Sequence, residues 1–218
     1  PNTSYKLYNK EMVEEILRNN FDIEVINSFQ KLKPKAFKAD LARYCIAYLY
    51  GGWYADITIK MIKSINDFQN NINFLGFADL GENIKPFTLP YPIQSSLFYV
   101  EKKSKIMQKA IEIIIKHCKE EYYGTTATSP TGPGVLGRSL AYYGLERNNI
   151  IGHFMPLTPN HKNKNRSYIL PDGSILALHK DAWLLSAKAG QISEFGINDS
   201  DNYLKLYNEH NIYNSNPI

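Results

Sequence analysis

The stretch Lys38 to Lys60, KADLARYCIAYLYGGWYADITIK, constrains this chain more than any other, because it prescribes a helix, a forced turn and a strand in direct succession. From Asp40 to Tyr50 the apolar positions Leu41, Tyr44, Cys45, Tyr48 and Leu49 recur at three- and four-residue steps, the period of a helix with one buried face. Asp40 stands where an N-cap belongs, and Asp40, Arg43 and Ala47 share a second face. Gly51-Gly52 supplies the positive φ that stops a helix and turns the chain. Trp53 to Lys60 then alternates: Trp53, Ala55, Ile57 and Ile59 face one way, Tyr54, Asp56 and Thr58 the other. A cap for Asp40 and a surface ion pair for Arg43 are the plainer roles of each alone. A carboxylate set amid Ile and Trp needs a cation or donors, and the helix before it offers both.

The same residues resemble the sugar-binding DXD glycosyltransferases. That group includes yeast-type initiating α-mannosyltransferases, bacterial capsule and lipopolysaccharide transferases, and more distantly the glucosylating clostridial toxins. The pattern A-D-x-x-R-Y-x-x-x-Y-x-x-G-G-x-Y-x-D-x-D is met here by Ala39-Asp40, Arg43-Tyr44, Gly51-Gly52, Tyr54 and Asp56. Thr58 stands in the place of the second acid, so the metal site that the pattern implies lacks one anionic ligand. The resemblance implies an α/β fold of GT-A type: one catalytic domain over residues 1–218, with a Rossmann-like, mostly parallel sheet between helices and a tail or C-terminal helix from about residue 195. It implies a short apolar strand, part of the nucleotide pocket, ahead of a segment like Ser4 to Tyr8; the sequence opens on Pro1 without it.

Further along, Thr131-Gly132-Pro133 resembles a T-G-P segment of the same group, and His179 and Trp183 resemble the histidine and tryptophan that follow its last strand. The implied roles are then as follows. Asp40, Arg43 and Asp56 are catalytic; Asp40, Arg43, Gly52, Tyr54, Thr131, Gly132 and Trp183 bind the donor; Asp56, Thr58 and His179 face a divalent metal. Oxygen ligands with one imidazole suit Mn²⁺ ahead of Mg²⁺. The implied reaction is retaining transfer from a UDP- or GDP-sugar to a glycan or lipid-linked glycan in bacterial surface polysaccharide synthesis. It would take place in the cytoplasm, with peripheral contact at the inner face of the plasma membrane. Two alternatives stand beside it: a nucleotide-sugar or glycan binder with a decayed metal site, and a toxin-like transferase acting on protein. A two-carboxylate glycoside hydrolase would pair Asp56 with Asp40 and work without metal or nucleotide.

Composition narrows the classes. At 218 residues, 44% hydrophobic and 21% charged, the chain suits one globular core. Sixteen tyrosines fit sugar contacts as well as core. The net charge of +4 is dispersed, and without a recognition module it speaks against nucleic acid. Lys31, Lys33, Lys35 and Lys38, with Lys162, Lys164 and Arg166, are solvated faces first and candidates for an anionic surface second. Cys45 and Cys118 read as free buried thiols, and no apolar run reaches the ~18 residues of a membrane span.

The remaining expectations follow the pattern of apolar residues. Helices are predicted over Lys10 to Asn19, Ser104 to Glu120 and Val135 to Tyr143; strands over Asn73 to Ala78, Ile93 to Val100 and Asn148 to Pro159. Phe21 to Ile26 suits strand or helix, and Ile62, Ile65 and Phe68 pack a brief surface segment. Tyr168 to Leu170 and Ser174 to Leu178 form a hairpin around Pro171-Asp172-Gly173. Glu82 to Pro92 is a loop that gates a site or merely connects, and His161 to Arg166 is a polar exposed tract. His117 reads as a surface histidine at a helix C-terminus. Gly124 to Gly137, with five hydroxyl side chains, can present donors to an anion or a sugar or merely cap the helix from Val135, and the T-G-P resemblance implies a pocket wall.

Overall fold

The computed structural model describes residues 4–65, 72–79, 92–143, 148–158, 165–183 and 202–215. Three helices come first: α1 (Lys10–Asn20), α2 (Ile23–Lys31) and α3 (Lys35–Tyr50). Asn9 caps α1, its Oδ1 accepting from the Met12 N–H at 2.9 Å. The segment that suited strand or helix is helical, and α2 buries Val25, Ser28 and Phe29. Helix α3 begins five residues ahead of Asp40, because Pro34 holds the N-cap and its carbonyl accepts from Phe37 and Lys38 N–H. Asp40 is therefore no cap. It lies in the helix interior and is 8% exposed.

Gly51 ends α3 at φ +65°, and a Cβ there would stand 2.6 Å from Lys102 N, so both the turn and the close approach require glycine. Strand β1 (Gly52–Ala55) follows, then β2 (Lys60–Met61), β3 (Phe74–Asp79) and β4 (Leu97–Val100). Helices α4 (Lys105–Glu120) and α5 (Pro133–Tyr143) lead to β5 (Asn149–Pro156), β6 (Arg166–Ile169) and β7 (Ile175–Leu178). A 3₁₀ turn (Lys180–Ala182) and α6 (Tyr203–Asn208) complete the described elements.

The fold is mixed α/β, with one sheet in the order β1-β4-β3-β5-β6-β7-β2. The expected mostly parallel pairing is not what forms. Only β3 and β5 run parallel, joined through α4 and α5; the other described pairs are antiparallel. Short connections force this outcome, as in the β6-β7 hairpin, where Gly173 adopts φ +81°. The predicted strand from Trp53 to Lys60 is also cut short. It stops at Ala55, and residues 56–59 turn with the Ile59 N–H on the Asp56 carbonyl at 2.9 Å. An aspartate opening a tight turn is favoured chemistry, so Tyr54, Asp56 and Thr58 do not share one strand face.

Among the described residues, two cores form on the two faces of the sheet. Phe74 and Ala78 of β3, with Phe98 and Val100 of β4, pack against the helices. Leu75, Phe77 and Leu97 pack on the other face with Phe154, Tyr168 and Leu176. Burial on both faces explains the uninterrupted apolar run of β3. Tyr203, Leu206 and Tyr207 lie against the helical core, where Ile212 and Tyr213 are buried. Both cysteines are free and buried, and burial pushes the Cys118 thiol up to about 12. Among the described residues, no helix is long and apolar enough to cross a membrane. Phe68, the loop 82–91 and the tract 161–164 lie outside the described residues.

Candidate active site

Arg43 is the hub. From the middle of α3 its Nη1 donates to the Ser95 carbonyl at 2.7 Å and stands 3.3 Å from Asp56 Oδ1, while Nη2 stands 3.4 Å from Asp40 Oδ1. Its guanidinium lies 4.7 Å from the centre of the Tyr54 ring, and the Tyr54 hydroxyl donates to Asp56 Oδ1 at 2.7 Å. One buried cation thus faces two carboxylates and an aromatic ring. Burial alone would disfavour its charge, but Tyr54, Asp56 and Asp40 outweigh it and hold the Arg43 pKa above its ordinary value. Asp40 moves the other way from a surface acid: burial raises its pKa against the pull of Arg43 and Thr131. Burial also lifts the Tyr54 phenol well above 10, which keeps it a proton donor to Asp56.

The loop between α4 and α5 closes the inner side. Thr131 Oγ1 donates to Asp40 Oδ2 at 2.8 Å, and the Tyr44 hydroxyl donates to the Gly132 carbonyl at 3.4 Å. Gly132 is pressed close, since a Cβ there would meet Asp40 Oδ2 at 3.4 Å. The structure therefore brings together Asp40, Arg43, Tyr54, Asp56, Thr131 and Gly132. Gly52 is not among them; it begins β1 opposite Val100.

Thr58 and Trp183 meet each other, the Trp183 Nε1–H donating to the Thr58 carbonyl at 3.2 Å. That bond docks the 3₁₀ turn on the turn of residues 56–59. His179 precedes it, and its Nδ1 lies 3.1 Å from Asp181 Oδ1, with the ring edge-on to Phe154. Asp181 Oδ2 accepts from Arg166 Nε at 2.6 Å. Among the described residues His179 makes no hydrogen bond or ion pair with Asp40, Arg43 or Asp56.

A second polar chain was missed in the sequence. The Asp56 N–H donates to the Ser96 carbonyl at 2.8 Å. The Ser96 hydroxyl donates to Gln94 Oε1 at 3.0 Å and so takes the Tyr168 hydroxyl, 2.6 Å away, as its donor. Gln94 Nε2 in turn bonds Asp79 at the carboxyl end of β3. The signal for it was present in Ser95-Ser96, two hydroxyl residues interrupting the apolar run IQSSLFYV. His117 was also misplaced. It is 5% exposed, stacked on Tyr122 with ring centres 4.2 Å apart, because the loop before α5 covers it.

A one-third-exposed carboxylate beside a buried arginine, a phenol and an inner carboxylate makes a polar site with acceptors and donors around a charged centre. Comparison with known proteins finds a family likeness over the first third of the chain. Residues 1–75 match the glycosyltransferase sugar-binding region containing DXD motif, the group that the pattern from Ala39 to Thr58 resembles. Over 63 residues the chain is 35% identical to an uncharacterized glycosyltransferase, L373, of Acanthamoeba polyphaga mimivirus. That match covers 29% of this chain and 25% of the viral protein. Among solved structures, the PaToxG glycosyltransferase is matched over 61% of this chain and 39% of its own, at 14% identity and a TM-score of 0.37.

The DXD motif of this family generally binds a divalent metal. Among the described residues no three His, Cys, Asp or Glu side chains gather as ligands. Asp56 fits the group nonetheless. Tyr54 and Arg43 both engage Oδ1, and the side chain is 36% exposed. Hard cations are commonly held by one or two carboxylates, waters and the phosphates of a substrate. His179 Nδ1 also accepts from the Asp181 N–H at 3.5 Å, so Asp181 holds the ring through both its backbone and its carboxylate.

Proposed function

We propose that this chain carries the donor-binding and catalytic part of a retaining glycosyltransferase. It moves a sugar from a UDP- or GDP-sugar to a hydroxyl of a glycan or lipid-linked glycan, as in the building of bacterial surface polysaccharide at the inner face of the plasma membrane. The observation that carries the reading is the Arg43 hub, which joins Asp40, Tyr54 and Asp56 in one site. The family match over residues 1–75 supports it.

In this reading Asp40 and Arg43 orient the donor sugar through its hydroxyls. Thr131 and Gly132 fix the Asp40 carboxylate, and Tyr54 fixes Asp56. The Trp183 ring, anchored on Thr58, packs over the nucleotide sugar from the outer side. Asp56 as anchor, with His179 and Thr58 as further ligands, would hold a divalent cation, Mn²⁺ ahead of Mg²⁺, which would supply Lewis-acid neutralisation of the departing diphosphate. Arg43 limits the charge that Asp56 presents and holds its carboxylate in place for that role. Transfer breaks the anomeric bond to the diphosphate and forms one to the acceptor oxygen on the same face, and the acceptor proton leaves with the diphosphate.

The test is a panel of UDP- and GDP-sugars incubated with the chain and Mn²⁺ or Mg²⁺, read as released nucleoside diphosphate. Release that needs the metal supports the transferase. Thr58 in place of the second acid favours one second reading, a nucleotide-sugar binder with a decayed metal site. Saturable binding with no release would establish it instead.

A further inference from the structure

His117 belongs to no role assigned above, yet it holds the residue next to Thr131. Its Nδ1 lies 2.7 Å from the Pro130 carbonyl, which only accepts, so Nδ1 carries a proton. Its Nε2 lies 3.4 Å from Arg138 Nη1, which only donates, so Nε2 carries none. The two partners together fix a single neutral tautomer. Arg138 is itself held, since Nη2 donates to the Tyr122 hydroxyl at 3.2 Å and the guanidinium lies 5.4 Å from the Tyr122 ring centre. Tyr122 stacks on His117. From this cluster the chain runs directly into Thr131, whose hydroxyl donates to Asp40, and Gly132, whose backbone closes on Asp40 Oδ2.

We propose that His117, as the neutral imidazole protonated at Nδ1, is a positioning residue that holds the 130–132 segment of the loop against Asp40. The arrangement joins the last turn of α4 to α5 and the loop between them, so its loss loosens the inner wall of the donor site. Protonation keeps the bond to Pro130 but turns Nε2 into a donor facing Arg138, placing two cations together. The groups acting on the ring are Arg138 from α5, Lys116 and Glu120 from its own helix, and Tyr122 and the Pro130 carbonyl from the flanking loop. Burial is the main influence and lowers the His117 pKa from its ordinary 6.5; Pro130 and Glu120 oppose it, while Arg138 and Lys116 assist. A depressed histidine pKa means that the neutral arrangement holds above about pH 6.5 and fails as pH falls through the lower folded value.

The activity readout rests on the transferase reading, so the test pairs it with two that do not. Ring ¹⁵N–¹H spectra of the wild-type chain should show the His117 proton on Nδ1 at neutral pH; a proton on Nε2 overturns the proposal. Hydrogen exchange read by mass spectrometry over residues 124–133 should speed up about tenfold in His117→Phe, which keeps the ring and loses both bonds. It should stay within about threefold of wild type in His117→Gln, which retains one donor and one acceptor. Equal protection in wild type and His117→Phe overturns the proposal, and if His117→Phe does not fold, the ring spectrum alone decides. With a turned-over nucleotide sugar, KM should rise about tenfold in His117→Phe with kcat changed less, and KM should rise on acidification in wild type but not in His117→Gln. An identical acid limb in wild type and His117→Gln overturns it. Absence of turnover in wild type counts against the transferase reading only, and the exchange and ring spectra still judge His117.

Discussion

Arg43 Nη1 stands 3.3 Å from Asp56 Oδ1, and that contact joins the interior of α3 to the turn after β1. The same guanidinium also serves Asp40 and the Ser95 carbonyl. Arg43→Ala leaves the 8%-exposed Asp40 without its cation, and breaking a buried pair from one side costs about 3–5 kcal/mol. Arg43→Lys should recover only part of this, since an ammonium cannot span three acceptors as a planar fork does. Urea unfolding of both variants measures the difference; equal stability of Arg43→Ala and wild type would deny the hub its structural role.

Thr131→Val keeps the shape of the side chain and removes the hydroxyl that donates to Asp40 Oδ2 at 2.8 Å. A buried carboxylate oxygen left without its donor costs about 1–3 kcal/mol. The Asp40 pKa, already raised by burial, should rise further because Thr131 is one of the groups holding it down. Denaturant melts and carboxyl NMR titration check the two effects, and Thr131→Ser should restore both.

Asp181 predicts an acid-range effect. Burial would raise its pKa, but His179 and Arg166 prevail and hold it at about 2, below its ordinary 3.8. A depressed carboxylate contributes stability above its unfolded pKa and loses it as pH falls through the folded one. The stability difference between wild type and Asp181→Asn should therefore be constant above pH 4 and shrink between pH 4 and 2. Acid melts of the two proteins measure it, and a difference unchanged across that window would contradict the pairing.

The helix before Gly51-Gly52 and the meeting of Asp40, Arg43, Tyr54 and Asp56 were legible because spacing on a helix and a turn dictates them. The strand beyond Ala55 was not, since an aspartate that opens a tight turn and one that lies on a strand look alike in an alternating run. Asp40 was read as a cap because the apolar period is clearest from Leu41, whereas Pro34 sets the helix start six residues earlier. The antiparallel pairing and the Ser96, Gln94 and Asp79 chain depend on contacts between segments far apart, which no local pattern encodes. His117 looked exposed because the loop that covers it arrives thirteen residues later.

Thr58 replaces an acid of the family pattern, so Thr58→Asp should strengthen metal binding. An added anionic ligand raises affinity for a hard cation, here by about tenfold for Mn²⁺ in the presence of a nucleoside diphosphate. Mn²⁺ electron paramagnetic resonance titration reads free ion directly. Unchanged affinity would place residue 58 outside the ion's reach.

The most direct trial of the account is Asp56→Ala, assayed for nucleoside diphosphate release from a nucleotide sugar that wild type turns over, alongside circular dichroism. Arg43 keeps Asp40 and the Ser95 carbonyl in that variant, so the fold should persist. Turnover should fall by about two orders of magnitude or more. A folded Asp56→Ala protein with turnover within twofold of wild type would contradict the central claim.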